Sequence, residues 1–128
     1  MIPPDVKKIL DDLLQRTKAG EVNWVESNTA GIEALAEDDY VVILPDSSIN
    51  IWKVKGDPTI HVHILDSHGN IVLDVTGEYI EEFELLDNLL QAAGRKALNI
   101  DETLEVIKRN LSKPGVLGNP KPKAQARQ

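Results

Sequence analysis

The 128-residue chain contains no cysteine, which excludes disulfides, thiolate-bound metals and cysteine nucleophiles. Aromatic residues are scarce, with two Trp, two Tyr and one Phe, and none is interleaved with cations as a nucleic-acid stacking platform would require. No apolar run approaches the length needed to span a bilayer. The amino-terminal MIPPDVKKILDD carries charge where a secretory signal needs its apolar stretch. The glycines are isolated, so no phosphate-cradling loop opens a helix. These absences predict a soluble, cytoplasmic protein without a cofactor.

The formal net charge of −7, from 14 basic and 21 acidic residues, conceals an asymmetry. Ser112 to Gln128 hold Lys113, Lys121, Lys123 and Arg127 and no acid, so the body up to Leu111 carries 10 basic against 21 acidic residues, a net of −11. An acidic body repels nucleic acid and suits a basic protein partner, or keeps the domain in solution. Four cations without recognition chemistry do not reverse that. The tail's glycines, prolines and cations lack periodicity, so residues 112–128 read as a disordered basic tail following a single domain at residues 1–111.

Within that domain, hydrophobic periodicity assigns the elements. Val6, Ile9, Leu10, Leu13, Leu14 and Thr17 mark one face of a helix that starts at Pro3 and Pro4 and stops at Gly20. A short strand follows at Glu21 to Ser27. Asn28 to Asp39 reads as a connection with room for a short helix. Tyr40 to Leu44, Ile49 to Val54 and the two arms of Thr59 to Thr76 then alternate with period two, separated by the turn sequences PDSS, KGDP and DSHGN. Connections this short impose antiparallel pairing. After Gly77 the period becomes helical: Tyr79, Phe83, Leu86, Leu90, Ala93 and Ala97 form a stripe that Leu85, Leu89 and Ala92 widen. Ile100, Leu104, Ile107 and Leu111 repeat the spacing in a third helix capped by Asn99 or Asp101. The expected fold is α+β: a helix, an antiparallel meander of four to five strands, then two helices packed on one sheet face.

Turn lengths suggest registers. Ile64 opposite Ile71 puts Val62 against Leu73 and His61 against Asp74. Val54 opposite Thr59 puts Ile51 against Val62 and Trp52 against His61, and Leu44 opposite Ile49 puts Val41 against Trp52. Tyr40, Val42, Leu44, Ile49, Ile51, Ile60, Val62, Ile64, Ile71, Leu73 and Val75 then share the core face, beneath the long helix. The opposite face holds Val41, Ile43, Asn50, Trp52, His61, His63, Val72 and Asp74, too apolar at one end for a plain solvated surface. Either the first helix or the Asn28 to Asp39 connection covers it, or it is bare and binds a partner with Trp52 as anchor.

His61 and His63 lie on one side of one strand and could share a metal with Asp74 or His68, which makes a metal binder or metal-dependent enzyme the alternative reading. The same pattern arises from an ordinary cross-strand polar pair. His61 with Asp74 could orient a base, but no Ser, Thr or Tyr stands beside them as a nucleophile, and Ser67 reads as turn chemistry. Glu78, Glu81, Glu82, Glu84 and Asp87 could imitate a phosphate backbone or neutralise a basic toxin. The helix dipole already accounts for most of these acids.

The run Lys18-Ala19-Gly20, the strand Val22-Asn23-Trp24, the hairpin turn Asp66-Ser67-His68-Gly69 and the stretch Arg95-Lys96-Ala97-Leu98 leading to Asp101 occur here in order. Over residues 5 to 111 this arrangement resembles a type of short bacterial α+β protein of unassigned function. The resemblance implies a fold and no activity, and the histidine pair lies outside it. The reading that follows is a cytoplasmic protein-interaction module, an accessory or neutralising subunit of the immunity or antitoxin kind. It would bind another protein, or a second copy of itself as a homodimer, through Val41, Ile43, Asn50, Trp52, His61, His63 and Asp74 or through the acidic helix.

Overall fold

The computed structural model describes residues 2–27 and 36–118, with the side chains of residues 36 and 37 left aside. Helix α1 (Pro4–Lys18) precedes strands β1 (Val25–Glu26), β2 (Ala36–Leu44), β3 (Ser47–Val54), β4 (Ile60–Leu65) and β5 (Ile71–Thr76), and helices α2 (Ile80–Ala97) and α3 (Ile100–Leu111) follow. The strands form one antiparallel sheet in sequential order, as the short turns require. The short helix anticipated between Asn28 and Asp39 lies largely outside the described residues, and so does the tail from residue 119. The first strand proves shorter than its alternation suggested: only Val25 and Glu26 pair, opposite Val41 and Tyr40. Val22 and Trp24 are nonetheless buried in the core. The second strand is longer, because Asp38 and Asp39 pair with Lys53 and Trp52.

The registers separate into one match and two slips. The KGDP turn places Ile51 against Val62 and Trp52 against His61 as expected. Gly56 takes the positive φ of that turn, and the Asp57 carboxylate accepts the Thr59 N–H at 2.9 Å. The PDSS stretch instead closes tightly, with Leu44 opposite Ser47, so Val41 faces Asn50 rather than Trp52. In the last hairpin Val62 faces Val75 and His63 faces Asp74, while His61 faces Thr76. The Asp66 carboxylate takes the N–H groups of His68 and Asn70, at 2.9 and 3.0 Å, and these hold its pKa below the usual value, the Asn70 bond first. That turn consumes more of the chain than a two-residue link, and an irregularity between Ile64 and Leu65 sets Ile71 opposite Leu65. Apart from that irregularity, both slips amount to two residues and leave the faces of the strands unchanged.

One face of the sheet meets α2, and α1 lies against α2. Val42, Ile49, Ile51, Ile60, Val62 and Val75 pack there against Leu85, Leu86, Leu89, Leu90 and Ala93, with Val6, Leu10 and Leu14 of α1 completing the cluster. The buried stripe of α2 is rotated from the expected one: Tyr79 and Phe83 are exposed, whereas Glu82 is buried. Leu44, Ile71 and Leu73, assigned to the core face, are also exposed, since α2 leaves the far end of the sheet uncovered. Trp24 is fixed by its indole N–H, which donates to Thr17 Oγ1 at 3.0 Å, while the Thr17 hydroxyl donates to the Leu13 carbonyl at 2.7 Å. The end of α1 and the lead-in to the sheet are thereby joined.

Glu82 serves as a clasp. Its carboxylate accepts the Ile2 N–H at 2.6 Å and the N–H groups of Glu78 and Tyr79 at 2.9 and 3.1 Å, which ties the amino-terminal segment to the start of α2. These donors, Ile2 first, hold the carboxyl below its ordinary pKa of 4.5. A carboxyl with a depressed folded-state pKa adds stability above the unfolded value and loses it as pH falls through the folded one. Glu82→Gln is therefore expected to be less stable than the wild type at neutral pH, and the two should converge in acid, as denaturant titrations at stepped pH would show. A gap that stays constant down to the acid limit would separate Glu82 from this linkage.

Candidate interaction surfaces

On the sheet face turned away from α2, β3 supplies Asn50 and Trp52, β2 supplies Val41 and Ile43, and the last hairpin supplies His61, His63 and Asp74. The structure brings most of these together but buries the centre. Trp52 is only 6% exposed, and Val41 and Asn50 are buried as well, although neither Val41 nor Trp52 belongs to the main core cluster. The indole stacks on His61, with ring centroids 4.9 Å apart and planes at 13°, and meets His63 edge-on at 4.3 Å. Both imidazoles are thus used in covering the tryptophan. His63 Nε2 lies 3.5 Å from Asp74 Oδ2, the pairing first assigned to His61. Ile43, at 75% exposure, is the member of this face most open to a partner. The first helix does not supply the cover, because it packs on α2, and residues 28–35 lie outside the described ones.

Beneath Trp52 lies a polar feature that sequence reasoning missed. The Asn50 amide donates to Asp39 Oδ1 and to the Tyr40 carbonyl, each at 2.7 Å, and Asn50 and Asp39 are both buried. The polar residue between Ile49 and Ile51 is the available signal, but Asp39 falls where the sequence reads as a connection, so it offers no visible partner. The neighbouring Tyr40 hydroxyl donates to Asp38 Oδ1 at 3.2 Å, and burial, reinforced by the Asp38 carboxylate, pushes its pKa up to about 12. A phenol so held remains protonated and is unsuited to act as a base near neutral pH.

Among the described residues no group of three or more His, Asp or Glu side chains is placed to hold a metal ion. His68 stands in the hairpin turn, and His61 faces Thr76 rather than Asp74. The metal reading therefore loses its geometric support. A cleft of about 330 Å³ between the ends of α1 and α2 and the start of α3 is lined by Lys18, Arg95, Lys96 and Asp101. Arg95 and Asp101 pair across it, its Thr17 hydroxyl is engaged by Leu13 and Trp24, and no nucleophile–base pair faces it. The acidic stretch of α2 is likewise reduced, since Glu82 is committed to the clasp.

A further apolar surface is that of α3. Asn99, at a left-handed φ of 55°, breaks the chain from α2, and Arg95 holds Asp101 across the break. The helix extends from there with no buried residue. Leu104 is 46% exposed and Leu111 61%, and Ile107 shows a similar exposure. Comparison of the chain with protein-family models, with curated proteins and with solved structures finds no match in any of the three. The surfaces have to be read from their own chemistry. Among the described residues no helix is long and apolar enough to cross a membrane.

Proposed function

We propose that the protein is a small interaction module whose work is binding rather than catalysis, and that it joins another protein chain through the bare apolar face of α3. The observation that carries this reading is a twelve-residue amphipathic helix with none of its residues buried. Helices this short are marginal in water, and in proteins they owe most of their stability to the packing of an apolar face. Here Leu104, Ile107 and Leu111 are in the correct spacing for such packing, and among the described residues none of the three is buried by the body. A partner that covers them provides what the fold withholds.

The outer sheet face supports this role less well than its composition suggested, because Trp52 is already enclosed. An accessory or neutralising role would place the acids Glu81, Glu84 and Asp87 against a basic partner, with α3 supplying the apolar grip. The test is native mass spectrometry of tagged protein purified gently from its host, beside a Leu104→Glu/Ile107→Glu variant. A stoichiometric complex that the variant loses is the expected result. A bare monomer from both preparations, together with no concentration-dependent self-association of the wild type up to about 1 mM, would overturn the reading.

A further inference from the structure

We infer that the occupant of the α3 face is α3 of a second copy, packed antiparallel about a twofold axis; this rests on the interaction-module reading above and names its partner. Ile100, Leu104, Ile107 and Leu111 step four, three and four, the spacing of a two-helix seam. Antiparallel pairing sets Leu104 of one copy beside Ile107 of the other and Ile100 beside Leu111. Residues flanking the seam then decide direction.

In the antiparallel arrangement Asp101 of each copy comes beside Lys108 of the other, on the same side of the seam. On the opposite side Thr103 meets Asn110, both uncharged. More broadly, the helix carries Asp101, Glu102 and Glu105 in its first half and Lys108 and Arg109 in its second. Antiparallel pairing places acid against base and opposes the two helix dipoles, whereas parallel pairing aligns the dipoles and sets Thr103 rather than Asp101 beside Lys108. The sequence of α3 is thus complementary to its own reverse. Such an isologous contact closes on itself and does not propagate into filaments.

The existing partners of these charges do not obstruct the contact. Asp101 pairs with Arg95, and Lys108 lies 3.3 Å from Glu105, all on exposed side chains whose pairs are readily exchanged. A seam of three exposed apolar residues per copy, with Ile100 partly covered beside Leu90 and Gly94, is small against the roughly 1,200 Å² of a standard interface. The dimer is accordingly weak, with a dissociation constant on the order of 100 μM. A lipid surface is the other natural occupant of an amphipathic helix, but the polar side of α3 is acidic in its first half, unlike the basic faces that bind anionic membranes.

Sedimentation equilibrium of the full chain from about 10 μM to 1 mM tests the inference across the range in which such an interface associates. The expected result is a reversible monomer–dimer equilibrium that Leu104→Glu/Ile107→Glu abolishes with the far-UV circular dichroism of the body retained. Asp101→Lys and Lys108→Glu are each expected to weaken self-association roughly tenfold, because each sets like charges beside one another. Mixed together they should form a heterodimer, since lysine at 101 then meets glutamate at 108 and Lys108 meets Asp101. A monomer throughout, a dimer indifferent to the two glutamate substitutions, failure of the mixture to associate, or wild-type binding to anionic vesicles would each overturn the second-copy assignment. A monomer that still carries a foreign protein from its host, lost with Leu104→Glu/Ile107→Glu, would sink this inference while leaving the interaction-module reading intact.

Discussion

Leu86→Ala is expected to lower the unfolding free energy by about 2–5 kcal/mol, whereas Leu104→Ala, measured at low micromolar concentration, should leave it within about 0.5 kcal/mol. Both leucines belong to apolar stripes at helical spacing, and both substitutions remove the same atoms. Leu86 is fully enclosed between α2, α1 and the sheet, so its truncation forfeits transfer free energy and leaves a cavity that the rigid sheet cannot close. Leu104 is not buried and leaves no enclosed cavity when truncated, so little is lost until something covers it. Chemical denaturation of the two variants beside the wild type measures the contrast directly. Equal costs would mean that α3 packs on the body and would remove the basis for assigning it to a partner.

That contrast also marks where the sequence stopped being informative. Periodicity reports which face of a helix is apolar, and it finds the helices and the alternation of the long strands, although the buried stripe of α2 is rotated off Tyr79 and Phe83 and Ile9 on α1 is exposed. It says nothing of whether the body has a surface to offer, and α3 looked no different from α2 for that reason. The sheet face was legible because period two survives a slip of two residues, so Trp52, His61 and His63 were placed together although Asp74 was assigned to the wrong histidine. The slips came from the turns, whose closing residues depend on side-chain hydrogen bonds such as those of Asp66. In the sequence Glu82 is one acid among several at the start of α2, whereas in the fold it holds the amino-terminal segment. A partner eighty residues away leaves no local signal.

The buried amide under the outer sheet face supplies the second large effect. Asn50→Leu, a change of nearly constant volume, is expected to destabilise the protein by about 3 kcal/mol. Asn50 is 2% exposed, and its amide donates to both the Asp39 carboxylate and the Tyr40 carbonyl. Leucine would fill the same space while withdrawing both donors, and the two acceptors cannot reach bulk water without opening the strand pair. The larger cost is that of the acceptors left behind without a donor. His61→Ala removes only a stacked ring from Trp52 and should cost about 0.5–1.5 kcal/mol. If Asn50→Leu instead costs less than the histidine substitution, the apolar packing around Trp52 holds this face by itself. If the order is as expected, the polar pair sets the β2–β3 register, since a slip between these strands would separate Asn50 from both of its acceptors.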